Sequence, residues 1–123
     1  MKLINLIFVF LGIFLLGACE YATIQPDTPP PPPPPGDTTS FSLEIQPIFN
    51  DRCVACHKGS TPPDLREGSS YQSLFDNNLV VKSNPAASVL YTCVQPGGSM
   101  AAYGNTANNL LFYYWIQEGA KNN

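Results

Sequence analysis

The chain opens with one long apolar run. After it, apolar positions come in short groups separated by polar, proline-rich and glycine-rich stretches. From Leu3 to Leu16 only Asn5 and Gly12 interrupt the run. That is shorter than the about 20 residues of a comfortable membrane span, and it has the proportions of the apolar centre of a signal peptide. Phe41, Leu43, Ile45, Ile48 and Phe49 are spaced for a short helix with Phe41 and Phe49 in its core. Ser42 is its candidate cap and Glu44 suits its first turn, while Pro47 must lie early in the helix or bend it. Gly59, Pro62, Pro63 and Gly68 mark 58–68 as a loop. Ser69 or Ser70 opens a short helix through Phe75, ended by Asp76-Asn77-Asn78. Leu79-Val80-Val81 is too short to assign. Asn84-Pro85 reads as an N-cap followed by proline at the first helical position, which predicts a helix from Pro85 to about Val94. Pro96-Gly97-Gly98 stops that helix. Thr106 is a candidate cap for a last helix over about Ala107 to Glu118, with Gly119 as its stop. Leu110, Leu111, Tyr114 and Trp115 share one face and predict its core side. No internal repeat is found, and the predicted fold class is all-α.

The first apolar run ends in Leu15-Leu16-Gly17-Ala18-Cys19. This resembles the bacterial lipobox, in which small residues admit the protease and the cysteine thiol takes a diacylglycerol. Residues 1–18 are then a lipoprotein signal peptide, and Cys19 is the expected lipidation site and membrane anchor. Acyl chains contribute about 0.8 kcal/mol per buried methylene, so several on one residue hold firmly. Residues 19–39 follow as a linker containing Pro29 to Pro35. A proline tract lacks backbone donors and settles into polyproline II, here a stiff rod of roughly 22 Å. Its use as a ligand for an aromatic groove is the competing reading; directly after an anchor, the spacer reading is preferred. The folded domain is expected over 40–123.

At 123 residues, with a formal net charge of -3 and 13 prolines, the chain has room for one small domain and offers no basic patch for nucleic acid. The roughly 80 residues left to fold make a marginal core, of a size usually reinforced by a disulfide, a metal or a large ligand.

Cys53-Val54-Ala55-Cys56-His57 carries the chemistry. Two thiols three positions apart, with histidine directly after the second, form the C-x-x-C-H pattern of covalent haem c attachment. Each thiol can add across one haem vinyl group, and His57 then stands under the iron. His57 is the only histidine, so a second imidazole ligand from this chain is excluded. Once a signal peptide is removed, Met100 is the only methionine, in a glycine-rich loop outside any apolar stripe. A thioether sixth ligand gives the Met/His pair that raises the potential of electron carriers; core filling is the plainer reading. Cys93 reads best as a buried apolar thiol on its helix. Zinc held by Cys53, Cys56, His57 and Cys93, and a redox dithiol at Cys53 and Cys56, are the remaining alternatives.

These pieces resemble the small monohaem cytochromes of the class I c-type family, in a branch common among lipoproteins of Bacteroidota and Planctomycetes. The resemblance covers nearly all of 41–120. It rests on Ile45-Gln46-Pro47-Ile48-Phe49, Cys53 to His57, Pro63-Asp64-Leu65, Ser88-Val89-Leu90-Tyr91, Gly97-Gly98-Ser99-Met100 and Trp115 to Ala120. It implies a small cytochrome c fold, three to five short helices wrapped around one covalent haem. It also implies that the Pro63 carbonyl accepts from the second ring nitrogen of His57, that Leu65 packs on the haem, and that the Phe49 region meets the Leu111–Trp115 face. Ala101 stands where many relatives have proline after the ligand methionine. The implied function is electron transfer to an unknown redox partner, without catalysis, in the bacterial cell envelope: on the periplasmic side of the inner membrane or on the outer membrane. Catalysis or gas sensing at a labile Met100, and haem as a structural staple, are the alternatives.

Overall fold

The structure is a computed structural model that describes residues 38–123. Cys19, the signal segment and the proline tract lie outside the described residues. The described residues form helices and no strand, in agreement with the predicted all-α class. None of the helices is long and apolar enough to cross a membrane.

The first helical stretch begins at Ser40, two residues before the predicted cap. Ser40 Oγ accepts from the Leu43 N–H at 3.3 Å, and Glu44 reaches back to accept from the Ser40 N–H at 2.7 Å. This reciprocal pairing satisfies donors that a helix start leaves open. Ser42 instead has its backbone N–H on the Asn123 carbonyl at 2.8 Å. The chain winds as a wide π turn over Phe41–Ile45 and tightens into helix α1, Gln46–Arg52. Pro47 lies in the first turn of α1, where its missing N–H costs nothing.

After the loop at 58–68 comes helix α2, Ser70–Asp76. The single helix predicted from Pro85 to Val94 is two pieces. A 3-10 turn over Pro85–Ala87 is capped by Asn84 as expected, and helix α3 follows at Val89–Thr92. Ser88 makes the break: its ψ of 120° is extended, and its fully buried hydroxyl donates to the Asn84 carbonyl at 2.8 Å. That hydroxyl also accepts from the Val81 N–H at 2.9 Å. A serine able to bond the backbone locally competes with the helix, and here it wins. The last helix, α4, runs Thr106–Gln117 and is capped by Asn105 rather than Thr106; Asn105 Oδ1 accepts from the Asn108 N–H at 2.8 Å. Gly119 ends it at φ 99°.

The core gathers Phe41, Ile45 and Phe49 from the first stretch, Leu74 from α2, Leu90 from α3, and Phe112, Trp115 and Ile116 from α4. The buried face of α4 is therefore Asn109, Phe112, Trp115 and Ile116, rotated from the predicted stripe; Leu110, Leu111 and Tyr114 are only half-buried. Aromatic rings join the ends of the domain. Phe41 lies 5.2 Å from Trp115 and 5.3 Å from Tyr71, centroid to centroid. The Trp115 indole donates to the Lys121 carbonyl at 2.8 Å, and the Thr39 N–H reaches Glu118 at 2.7 Å. These bonds close the first and last described segments onto each other.

Candidate functional site

The motif is a tight turn set directly on the end of α1. The Cys53 N–H continues the helix to the Phe49 carbonyl at 2.9 Å, and the Cys53 carbonyl then accepts from Cys56 at 3.1 Å and His57 at 2.8 Å. Three peptide groups are thus spent on holding the two thiols and the imidazole around one turn. The following loop folds back, with the Leu65 N–H on the His57 carbonyl at 3.0 Å.

Gln46 fastens this loop from beneath. Buried in α1, it donates through Nε2 to the Leu65 carbonyl at 3.1 Å and to Asn50 Oδ1 at 2.9 Å. Its Oε1 accepts from the Ser70 hydroxyl at the start of α2. Every polar atom of the amide has a partner, as burial demands. Sequence reasoning gave Gln46 no such role. Its spacing of three from buried Phe49 was the available sign, because it puts a polar residue on the inward face of α1.

Above the motif lies a mostly apolar cavity of about 580 Å³, within the ~300–1,000 Å³ typical of ligand pockets. Cys53, Cys56 and His57 border it, with Pro63 and Leu65 from the folded-back loop. Leu90, Cys93, Val94 and Met100 border it from α3 and the loop beyond, and Phe49 and Phe112 from the core. Every residue singled out in the described region as a cofactor contact therefore meets at one cavity. Cys93, expected as a buried apolar thiol on its helix, is half-buried and borders the same cavity.

No protein-family model, curated protein or solved structure matches this chain.

The methionine loop is held against α3 by its backbone. The Met100 N–H donates to the Cys93 carbonyl at 2.7 Å, and the Gly98 N–H to the Gln95 carbonyl at 2.8 Å. Gly98 is required here for space: a Cβ on it would stand 2.3 Å from the Cys93 oxygen and 2.6 Å from the Thr92 oxygen. Buried Asn109 of α4 donates to the Val94 carbonyl at 3.2 Å, tying the last helix to the same loop.

The electrostatics separate the two motif thiols. Burial first, then the neighbouring Cys93, push the Cys53 thiol up from its ordinary 9.0 to about 11, against a downward pull from Arg52. Burial also raises Cys93. Cys56 is exposed, whereas Cys53 and Cys93 are half-buried. His57 Nδ1 is buried with no hydrogen-bond partner, so the bond that the resemblance implies to the Pro63 carbonyl is not formed. Among the described residues no three His, Cys, Asp or Glu side chains converge where a metal ion could sit. Beside the cavity, Arg66 grips Asp64 at 2.6 Å and 2.9 Å, and those hydrogen bonds hold its carboxyl down at about 2.

Proposed function

We propose that the cavity takes one covalently attached haem c and that the protein is an electron carrier of the small c-type cytochrome kind. The observation that carries this reading is the convergence of Cys53, Cys56, His57 and Met100 on one apolar cavity of about 580 Å³. The donor set fits the group. Two thiols at one-turn spacing suit two vinyl groups, one imidazole follows directly, and one thioether comes from a separate loop. Buried His57 Nδ1, without a partner in the chain, leaves the ring free to be oriented by what enters beside it.

When bound, the haem supplies a one-electron ferric/ferrous couple. The chain's own residues hold it and shape its surroundings. Cys53 and Cys56 fix the macrocycle to the turn after α1, and the Gln46–Leu65 and Leu65–His57 bonds brace that turn. Phe49, Leu65, Leu90 and Phe112 exclude water from the cavity. No carboxylate borders the cavity and His57 is its sole imidazole, with Arg52 and Tyr103 as the other ionisable side chains besides the thiols, so a proton shuttle there lacks a second histidine or a carboxylate. That favours electron carriage over peroxide chemistry. In this reading Cys19 is acylated, the proline tract spaces the domain from the membrane of the cell envelope, and a redox partner protein docks at the cavity mouth.

The test is a pyridine haemochrome assay on protein made with c-type maturation machinery. One covalent haem per chain is expected, together with the weak long-wavelength ferric band of iron–methionine bonding, which Met100→Ala removes. A purified chain without covalent haem under those conditions overturns the proposal. A high-spin ferric spectrum in the native protein overturns the Met100 assignment.

A further inference from the structure

Asn109 is the only polar residue among the buried ones of α4, which otherwise are Phe112, Trp115 and Ile116. Its Nδ2 donates to the Val94 carbonyl at 3.2 Å, and its Oδ1 is buried with no partner in the chain. A buried acceptor without a donor counts against stability, so filling the core does not account for an amide at this position. What distinguishes the position is that both ends of the methionine loop meet there. Val94 opens that loop and Gly104 closes it. A Cβ on Gly104 would stand 2.4 Å from the Val94 oxygen and 3.0 Å from Asn109 Oδ1. The φ of Gly104 is -82°, open to any residue, so space alone calls for glycine. The amide itself stands on firm backbone. The Asn109 N–H lies on the Asn105 carbonyl at 2.9 Å, and Phe112, one turn on, stacks on Phe49 of α1.

Between the two ends of the loop, Met100 is tied on both sides of its own backbone. Its N–H donates to the carbonyl of Cys93, the neighbour of Val94, at 2.7 Å. Its carbonyl accepts from the N–H of Tyr103, the neighbour of Gly104, at 3.0 Å. Each bond that places Met100 is thus one residue from an end packed on Asn109. We propose that Asn109 is a positioning residue: by clasping Val94 and Gly104 to α4 it holds the Met100 thioether at the iron, and so keeps outside ligands from the sixth coordination position. The part that concerns the iron rests on the haem reading; the clasp does not.

Asn109→Leu keeps the volume and removes the donor, while Gly104→Ala presses on the clasp from the other side. Ile116→Ala is the control for loosened packing, since Ile116 is 0% exposed on the same helix but outside the loop. The full chain in detergent, made with c-type maturation machinery, is followed by hydrogen exchange and peptide mass spectrometry. Asn109→Leu and Gly104→Ala should each speed exchange over 97–104 about tenfold, the order that loss of one ordinary hydrogen bond allows. Exchange over 49–57 should stay as in the unsubstituted chain, and Ile116→Ala should not single out 97–104. In the ferric haem-loaded protein both variants should bind imidazole about tenfold more tightly, because the sixth position is open in more of the molecules; Ile116→Ala should not. If Asn109→Leu fails to fold, Gly104→Ala alone decides. Exchange over 97–104 that is unchanged, that rises no more than over 49–57, or that Ile116→Ala raises equally, overturns the clasp. Faster exchange with unchanged imidazole affinity overturns the role at the iron while the clasp stands. A chain without covalent haem overturns the haem reading, and the exchange result then decides the clasp by itself.

Discussion

The ring of Phe49 stacks on that of Phe112, with centroids 5.7 Å apart and planes inclined by 24°. One ring comes from α1, directly before the motif, and the other from α4. Both also border the cavity, so a single pair joins the core to the candidate site.

Phe49→Ala should therefore cost about 3–5 kcal/mol, the range for deleting a buried aromatic side chain, since Phe49 is 0% exposed. Urea denaturation of the haem-loaded protein measures it. A cost under about 1 kcal/mol, the level of ordinary surface changes, would mean that this contact does not hold α1 to α4.

Gln46→Leu tests the brace under the motif. The change keeps an apolar fit but strips partners from the Leu65 carbonyl and from the Ser70 hydroxyl, which is 1% exposed. A buried polar group left without its bond costs about 1–3 kcal/mol. Stability should fall by that order, and in haem-loaded protein the midpoint potential should move with it, because the loop that Gln46 holds also donates, through the Leu65 N–H, to the His57 carbonyl. An unchanged potential beside a lower stability would confine Gln46 to a structural role.

The helical class and the motif were legible because each rests on local rules: apolar spacing at helical period, Asn84-Pro85 as a start, Gly119 as a stop, and C-x-x-C-H as a fixed spacing. What was not legible depends on partners distant in the chain. Ser88 breaks the expected third helix through bonds to Asn84 and Val81. The expected meeting of the Phe49 region with the Leu111–Trp115 face is made, and Trp115 is buried as expected; the stripe did not carry that Phe112 and Ile116 take the inward side from Leu110, Leu111 and Tyr114. The position of Cys93 at the cavity edge depends likewise on where the methionine loop docks, which no local pattern encodes.

The thiols should respond differently to pH in the haem-free protein. Cys53, raised to about 11 chiefly by burial, carries very little thiolate near neutral pH and is therefore a slow nucleophile. Exposed Cys56 should be alkylated by iodoacetamide faster at pH 8, as mass spectrometry of the two sites would reveal. The sign for stability follows from linkage. Between the ordinary 9.0 and about 11 the unfolded chain loses the Cys53 proton while the folded chain keeps it. The unfolded state then binds fewer protons, so stability falls as pH rises through that window. Burial of Cys93 acts in the same direction, and Cys53→Ser should flatten the alkaline limb of a pH–stability curve.

Gly98→Ala isolates the methionine loop from the attachment motif. The new Cβ would meet the Cys93 carbonyl at 2.3 Å for oxygen and 2.6 Å for carbon, backbone atoms that cannot swing aside. Relief requires the Gly98–Met100 segment to lift from α3, breaking the Met100–Cys93 bond of 2.7 Å. The thiols and His57 stand on α1 and its following turn, outside that segment. Gly98→Ala should accordingly keep its covalent haem in the pyridine haemochrome assay yet lose most of the ferric iron–methionine band. Gly97→Ala is the control: its φ is 86° with nothing within 4 Å of the added carbon, so it carries only backbone strain of about 1–3 kcal/mol and should largely retain the band. An intact band in Gly98→Ala would require a different sixth ligand or a more pliant loop, and loss of covalent haem would mean that the methionine loop is not independent of the attachment motif.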